Sequence, residues 1–201
     1  MLNLITSSIL AYLIGSIPTA YIFGRIIKGI DIRNFGSGNV GATNVYRLIG
    51  KMPAFIVLFI DALKGFAPVL LFPTIFNIDK NLLNPELASI LLGVACISGH
   101  VWTVFLKFKG GKGVATTSGV MLAIAPKVFL IALIVWVIIF LLFRYVSLAS
   151  ITAAISLPIA SLVMNKAFPL VLFCITLCFI GTYKHKSNIS RLLKGKEKKI
   201  F

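Results

Sequence analysis

The segment Gly36-Ser-Gly-Asn-Val-Gly-Ala-Thr-Asn-Val-Tyr-Arg47 is polar and rich in small residues, in a chain that is otherwise mostly apolar. Glycines at 36, 38 and 41 let the backbone turn sharply and aim several N–H groups at one point. Ser37, Asn39, Thr43 and Asn44 add short hydrogen-bonding side chains. Arg47 adds a fixed fork of donors that suits phosphate oxygens. The chemistry such a loop supports is the handling of a phosphorylated compound at a lipid surface.

A second cluster is Lys107-Phe-Lys-Gly-Gly-Lys-Gly-Val-Ala-Thr-Thr117. Lys109 and Lys112 stand among Gly110, Gly111 and Gly113, just ahead of an expected helix start. Orphan N–H groups, the helix dipole and ammonium charge all favour an anion there. This is not a nucleotide-binding P-loop: Leu106 replaces its first glycine, and Gly113 replaces the Ser or Thr after its lysine. A plain basic turn is the alternative, but three glycines in four residues exceed what a turn needs. A third cluster, His185-Lys-Ser-Asn-Ile-Ser-Arg191, follows the last apolar stretch. His185 and Asn188 are three apart and share a helix face, with Arg191 continuing it. Ile189, Leu192 and Leu193 suit the membrane surface.

Asp61 and Lys64, also three apart, fall inside an apolar stretch, where charges are costly and usually paired. They read as a structural ion pair, or Lys64 helps to neutralise an anionic substrate. His100, in Gly99-His-Val-Trp102, is a hydrogen-bonded core residue or a site residue. The acidic residues are five: Asp31, Asp61, Asp79, Glu86 and Glu197. They offer no carboxylate pair, no magnesium cage and no evident partner for a histidine-based triad. No metal or cofactor is expected. Cations, amides, N–H groups and His185 must do the work, which suits phosphate charge and a developing oxyanion.

The elements that position these groups are transmembrane helices. The 201 residues are 59% hydrophobic with mean hydropathy +1.02, outside the range of soluble globular chains. The net charge of +15 arises between apolar spans, so topology and anionic lipid explain it without nucleic acid. Cys96, Cys174 and Cys178 lie in apolar stretches and read as packing residues. The start Met1-Leu-Asn-Leu lacks the basic region of a cleavable signal.

Apolar stretches run over Leu4–Phe23, Pro53–Phe76, Pro85–Leu106, Val114–Phe143, Val146–Met164 and Phe168–Thr182. Splitting the fourth at Pro126-Lys127 gives seven helical segments. With the first loop cytoplasmic, 16 of the 20 basic residues then face inside. Lys80, Lys127 and Lys166 face out, and Lys64 is within a span. The positive-inside rule thus favours an all-α polytopic fold with the N-terminus outside and the C-terminus cytoplasmic. Val114–Ala125 would reach only about 18 Å, short of a ~30 Å core, so it is re-entrant or starts below the headgroups. No repeat or linker divides the chain, and one domain over residues 1–201 is expected.

Taken together, these residues closely resemble the bacterial acyl-phosphate-dependent glycerol-3-phosphate acyltransferases. The resemblance runs essentially end to end. It includes Gly15-Ser-Ile-Pro18, Asp31-Ile-Arg33, Gly36–Arg47, Asp61-Ala-Leu-Lys-Gly65 and Gly99-His100. It continues through Phe108–Thr116, Arg144-Tyr-Val-Ser-Leu-Ala-Ser150 and His185–Leu193. The three clusters match that family's three cytoplasmic motifs in order. Two differences stand out. Thr103 replaces a proline in the run after His100, and Lys196 precedes Glu197 where a small hydroxyl residue is common.

The resemblance implies a seven-helix protein of the bacterial inner membrane with its active site toward the cytoplasm. It implies acyl transfer from acyl phosphate to the 1-hydroxyl of sn-glycerol 3-phosphate, giving 1-acylglycerol 3-phosphate and phosphate without coenzyme A or carrier protein. It puts Ser37, Asn39, Thr43, Asn44 and Arg47, with Gly36 and Gly38, at the substrate phosphates. Lys109, Lys112, Gly110, Gly111 and Gly113 would cradle the acyl phosphate. His185, Asn188 and Arg191 would sit near the reacting carbonyl and the glycerol phosphate. Ser37, Arg47, Lys112, His185 and Asn188 are the expected catalytic set, with Lys64 and His100 in support. The proton of the attacking hydroxyl goes to His185 or to a substrate phosphate oxygen. A phosphate transporter would also need basic glycine-rich sites, but near the midplane and in repeats, whereas these three clusters share one face.

Overall fold

The computed structural model describes residues 2–78 and 83–200, so Asp79 and Lys80 lie outside the described residues. Among the described residues, ten α-helices account for most of the chain. They are α1 (Leu2–Ser16), α2 (Thr19–Lys28), α3 (Ala42–Leu48), α4 (Lys51–Ile75), α5 (Pro85–Val101), α6 (Val114–Ile124), α7 (Pro126–Phe143), α8 (Val146–Val163), α9 (Phe168–Lys184) and α10 (Lys186–Leu193). The chain packs as two compact units, Met1–Ile124 and Ala125–Phe201.

Among the described residues, five segments are long and apolar enough to cross a bilayer: Leu2–Lys28, Lys51–Ile75, Pro85–Leu106, Pro126–Phe143 and Val146–Val163. α9 and α10, bent by 60° at their junction, reach that length and hydropathy only when taken together. The 11 residues of α6 rise only about 16 Å, too short for a ~30 Å core, as its sequence requires.

The expected continuous span Leu4–Phe23 is instead broken at Ile17-Pro18. Pro18 has no N–H to give back to the preceding turn, and α2 starts afresh behind it. The break takes the Ser16 and Ile17 carbonyls out of the helical ladder; Ile17 O still accepts from Thr19 N at 3.0 Å, and side chains bond to both. Thr103 Oγ1 donates to Ser16 O at 2.6 Å, and Lys64 Nζ donates to Ile17 O at 2.8 Å. Thr103 also has a φ of −65°, a value that proline would hold.

In the first unit, α1 lies along α5 and α4 along α6. Lipid tails give apolar helices little reason to associate, so close backbone approach through small residues does that work. Gly99 of α5 meets the Tyr12 carbonyl of α1, and Gly65 of α4 meets the Thr116 carbonyl of α6. A Cβ at either glycine would overlap backbone. Cys96 is a buried packing residue whose Sγ donates to Lys64 O at 2.9 Å.

In the second unit α7 packs on α8 and α8 on α9, with α10 against α8 and α9. Trp136 of α7 stacks on Phe140 and donates Nε1 to Ser150 Oγ of α8. Arg144, in the left-handed region at φ 63°, closes α7 and turns the chain into α8. The tail returns to this turn: Ile200 N donates to Arg144 O at 3.2 Å.

Candidate active site

The first polar loop is held from both ends. At its start Asp31 caps a short 3-10 turn, Ile32–Asn34, by accepting from Arg33 N at 3.1 Å. It also takes Arg33 Nε and Nη2 at 2.9 and 2.6 Å. The Arg33 guanidinium holds the Asp31 carboxyl down at about 2, with Arg25 contributing. Both guanidiniums lie 5.3 Å from the centroid of the Tyr21 ring. At its far end Asn44, fully buried on α3, reaches back into the loop. Its Oδ1 accepts from Ser37 N at 2.9 Å, and its Nδ2 donates to Ile32 O and Phe35 O, each at 3.1 Å. Gly36, at φ 62°, lets the chain pass so close that a Cβ would collide with Asn44 Oδ1.

Asn44 is therefore the loop's internal staple, with both amide hydrogens and its carbonyl oxygen engaged within the loop. What the loop presents outward is Ser37, exposed at its tip between Gly36 and Gly38. Asn39 is half-buried beside it. Thr43 and Arg47, four apart on α3, share a face and are likewise half-buried.

The second loop is built against α5. Thr103 caps another 3-10 turn, Val104–Leu106, and Lys107 and Phe108 follow at φ 53° and 61°. Two successive non-glycine residues in the left-handed region are strained, and such strain gathers at functional turns. Gly110 N then donates to Val101 O at 3.2 Å and Gly111 N to His100 O at 3.1 Å. These two N–H groups are thus spent on backbone carbonyls. The glycines serve closeness instead. A Cβ at Gly111 would run into His100 Nε2 and lie 2.7 Å from Val40 O of the first loop. This welds the two loops together. An anion is left with Lys109, which is exposed, with Lys112, and with the N-terminal turn of α6, which starts directly after Gly113 at φ 86°.

Lys64 does not reach that anion position. It is buried, with Nζ 2.7 Å from Asp61 Oδ1 and 2.8 Å from Ile17 O, so the ion-pair reading is the one realised. Thr19 Oγ1 donates to the same Asp61 oxygen at 2.9 Å. His100, 8% exposed, lies behind the second loop with Nδ1 3.9 Å from Asp61 Oδ1.

The third cluster sits where α9 bends into α10. His185 is 3% exposed, and its Nδ1 lies 2.7 Å from Gly181 O. In the neutral ring, Nδ1 must carry the proton to make that contact, which assigns the lone pair to Nε2. Asn188 and Arg191 converge on Glu197. Asn188 Nδ2 donates to Oε1 at 2.6 Å, Arg191 Nε to Oε2 at 2.6 Å, and Ser147 Oγ of α8 to Oε1 at 2.9 Å. Burial alone would raise the Glu197 carboxyl, but the three donors outweigh it and hold it below its ordinary value. The Nδ2 contact also settles which end of the Asn188 amide faces away from Glu197: the oxygen.

Glu197 is the residue that sequence reasoning missed. The available signal was Gly195, whose φ of 64° ends α10 and turns the tail back. The Asp31–Arg33 clasp was likewise not singled out for its geometry.

Fold and site together describe an integral membrane protein whose polar loops pair cations with hydrogen-bond donors suited to phosphates. The family model for glycerol-3-phosphate acyltransferase matches residues 5–195, and the chain belongs to that family. A glycerol-3-phosphate acyltransferase of Desulforamulus reducens is 45% identical over 190 residues, covering 94% of this chain and 92% of its own. The corresponding protein of Aquifex aeolicus is 46% identical over 189 residues, covering 94% and 95%. The crystal structure of PlsY (YgiH), an integral membrane glycerol 3-phosphate acyltransferase, superposes in its glycerol 3-phosphate form with a TM-score of 0.88 at 44% identity. It covers 98% of this chain and 94% of that one. Its lysophosphatidic acid form gives a TM-score of 0.85 at 43% identity, with the same coverage.

Proposed function

We propose that this protein transfers the acyl group of an acyl phosphate to the 1-hydroxyl of sn-glycerol 3-phosphate. The products are 1-acylglycerol 3-phosphate and inorganic phosphate, the entry step of phospholipid synthesis. One observation carries the reading. A solved relative matching nearly the whole chain is known in a glycerol 3-phosphate form and a lysophosphatidic acid form, and those two molecules differ by one acyl group.

An acyl phosphate is a mixed anhydride with a good leaving group already in place. The enzyme's task is to bring two anions together and aim a hydroxyl at a carbonyl. Lys109, Lys112 and the start of α6 hold the phosphate of the acyl donor. Arg47 and Thr43, with Ser37 and Asn39 in the loop ahead of them, hold phosphate oxygens as well. Fixed cations offset the repulsion between the substrates, and orientation supplies much of the rate. The hydroxyl oxygen bonds to the carbonyl carbon as the carbon–oxygen bond to phosphate breaks, and the hydroxyl proton ends on the departing phosphate. Asn188, His185 and Arg191 serve the carbonyl and the glycerol phosphate. A substrate phosphate oxygen is the preferred base, while the Gly181 carbonyl at Nδ1 orients the His185 ring. Gly110, Gly111, Asn44, Lys64 and His100 shape these loops from behind.

The same reading makes the chain one functional domain of the bacterial inner membrane. It has seven membrane segments, the N-terminus outside, and the three clusters facing the cytoplasm. The excess of basic residues in the loops and tail supports that orientation.

The test is an assay of purified protein with palmitoyl phosphate and glycerol 3-phosphate, following phosphate and lysophosphatidic acid together, with palmitoyl-CoA in parallel. Equal formation of both products from the acyl phosphate alone is expected. Phosphate release without the lipid would make it a hydrolase and overturn the reading.

A further inference from the structure

Asp61 and Lys64 are among the most buried charged side chains described, at 2% and 6% exposure. A salt bridge inside a protein seldom stabilises it more than apolar residues of the same volume would. Inside a bilayer the cost is higher still, and such groups usually have a task. The surroundings of this pair suggest one. Asp61 Oδ1 gathers Thr19 Oγ1, Lys64 Nζ and, at longer range, His100 Nδ1. His100 in turn forms the floor of the second loop. Its carbonyl takes the Gly111 N–H, the neighbouring Val101 carbonyl takes the Gly110 N–H, and its Nε2 lies against Gly111 with no space for a Cβ.

We propose that Asp61 is a positioning residue for the phosphate-binding turn Gly110–Gly113, acting through His100. The inference rests on reading that turn as a phosphate site. The carboxylate fixes which imidazole nitrogen faces it, Nδ1, and so presents Nε2 to Gly111. Lys64 holds the carboxylate in place and ties it to the carbonyl of Ile17 at the helix break. Without the charge, the ring is free to turn, and the turn it supports shifts relative to Lys112. A small cavity lies alongside, lined by Ser16, Thr19, Asp61, His100, Thr103 and Gly111 among others, with space for about one water molecule. The buried Ser16 hydroxyl has no protein partner among the described residues. A water in that cavity would satisfy it and bridge to the Asp61–His100 pair.

The experiment measures kcat and KM for each substrate separately, using purified full-length protein in lipid nanodiscs. Lys112→Ala first identifies which KM reports on the turn. Asp61→Asn keeps the shape and removes the charge. Thr19→Val removes one hydrogen bond to the carboxylate and leaves the ion pair, so it decides alone if the first variant does not fold. The expected result is a rise of about tenfold in that same KM for Asp61→Asn and about threefold for Thr19→Val, with kcat much less affected. In the Lys112→Ala background the Asp61→Asn effect shrinks, because both act through one turn. If Lys112→Ala raises a KM that Asp61→Asn and Thr19→Val leave unchanged, Asp61 is only structural and the inference fails. If Lys112→Ala changes neither KM, the turn is not a phosphate site, and that reading falls together with this one.

Discussion

Replacing Asn44 by aspartate probes the first loop with almost no change in shape. The acceptor toward Ser37 N survives, but the group facing Ile32 O and Phe35 O, each 3.1 Å away, becomes an oxygen instead of a donor. Two hydrogen bonds are lost, at about 1 kcal/mol each. A buried charge then faces two carbonyl dipoles, which adds at least a further ~1 kcal/mol. A penalty of about 3 kcal/mol lowers the fraction of correctly formed loop, and with it kcat/KM, by about 100-fold. The sign with pH is distinctive. Burial and the two carbonyls raise the introduced carboxyl's pKa, because only its protonated form donates. The loop is therefore partly restored below that raised pKa, since the protonated carboxyl supplies one donor where the amide had two, and lost as pH rises through it, whereas wild-type Asn44 has no such dependence. The assay is kcat/KM of Asn44→Asp relative to wild type between about pH 8 and pH 5.5, alongside thermal unfolding. A ratio near one that does not change with pH would refute the claim that this side chain holds the loop.

Three further outcomes follow from the same geometry. Arg47→Lys loses at least about 100-fold in kcat/KM, since a point charge does not replace a planar fork of donors; near-normal activity would remove Arg47 from the phosphate. With a substrate phosphate as base, His185→Ala keeps measurable turnover, with kcat down about tenfold. A loss approaching about 10,000-fold at unchanged KM would make His185 the base instead. The Asp31 carboxyl is held at about 2 against an ordinary 3.8, so its clasp on Arg33 stabilises the fold above that range and is lost as pH falls through it. The difference in unfolding temperature between wild type and Asp31→Asn should be present at neutral pH and close as pH falls from about 4 toward 2; a difference that persists unchanged would contradict the clasp.

Much of the architecture is legible in the chain because bilayer thickness is a strict ruler. Runs such as Pro126–Phe143 are helices by length alone, and the shortness of α6 follows from the position of Pro126. The break after Ser16 was in view as Pro18, but an isolated proline in an apolar helix can also be tolerated as a kink. The break is supported by Thr103 and Lys64 donating to the Ser16 and Ile17 carbonyls, and both partners are remote in sequence. The glycines of the second loop stand out in the sequence, and in the fold Gly110 and Gly111 lie tight against the backbone of α5. Composition does not say whether an N–H faces a ligand or the carbonyl of His100. Glu197 escaped notice because its partners lie 6, 9 and 50 residues away, and only the turn at Gly195 brings them together.

The central claim is that the acyl group passes from acyl phosphate to the glycerol 3-phosphate hydroxyl without water entering the reaction. The most direct test is turnover in water enriched in the heavy oxygen isotope, with unlabelled substrates and mass spectrometry of every product. The account predicts unlabelled lysophosphatidic acid and unlabelled phosphate in equal amounts. Heavy oxygen in the phosphate, or in free fatty acid formed in step with it, would contradict direct transfer.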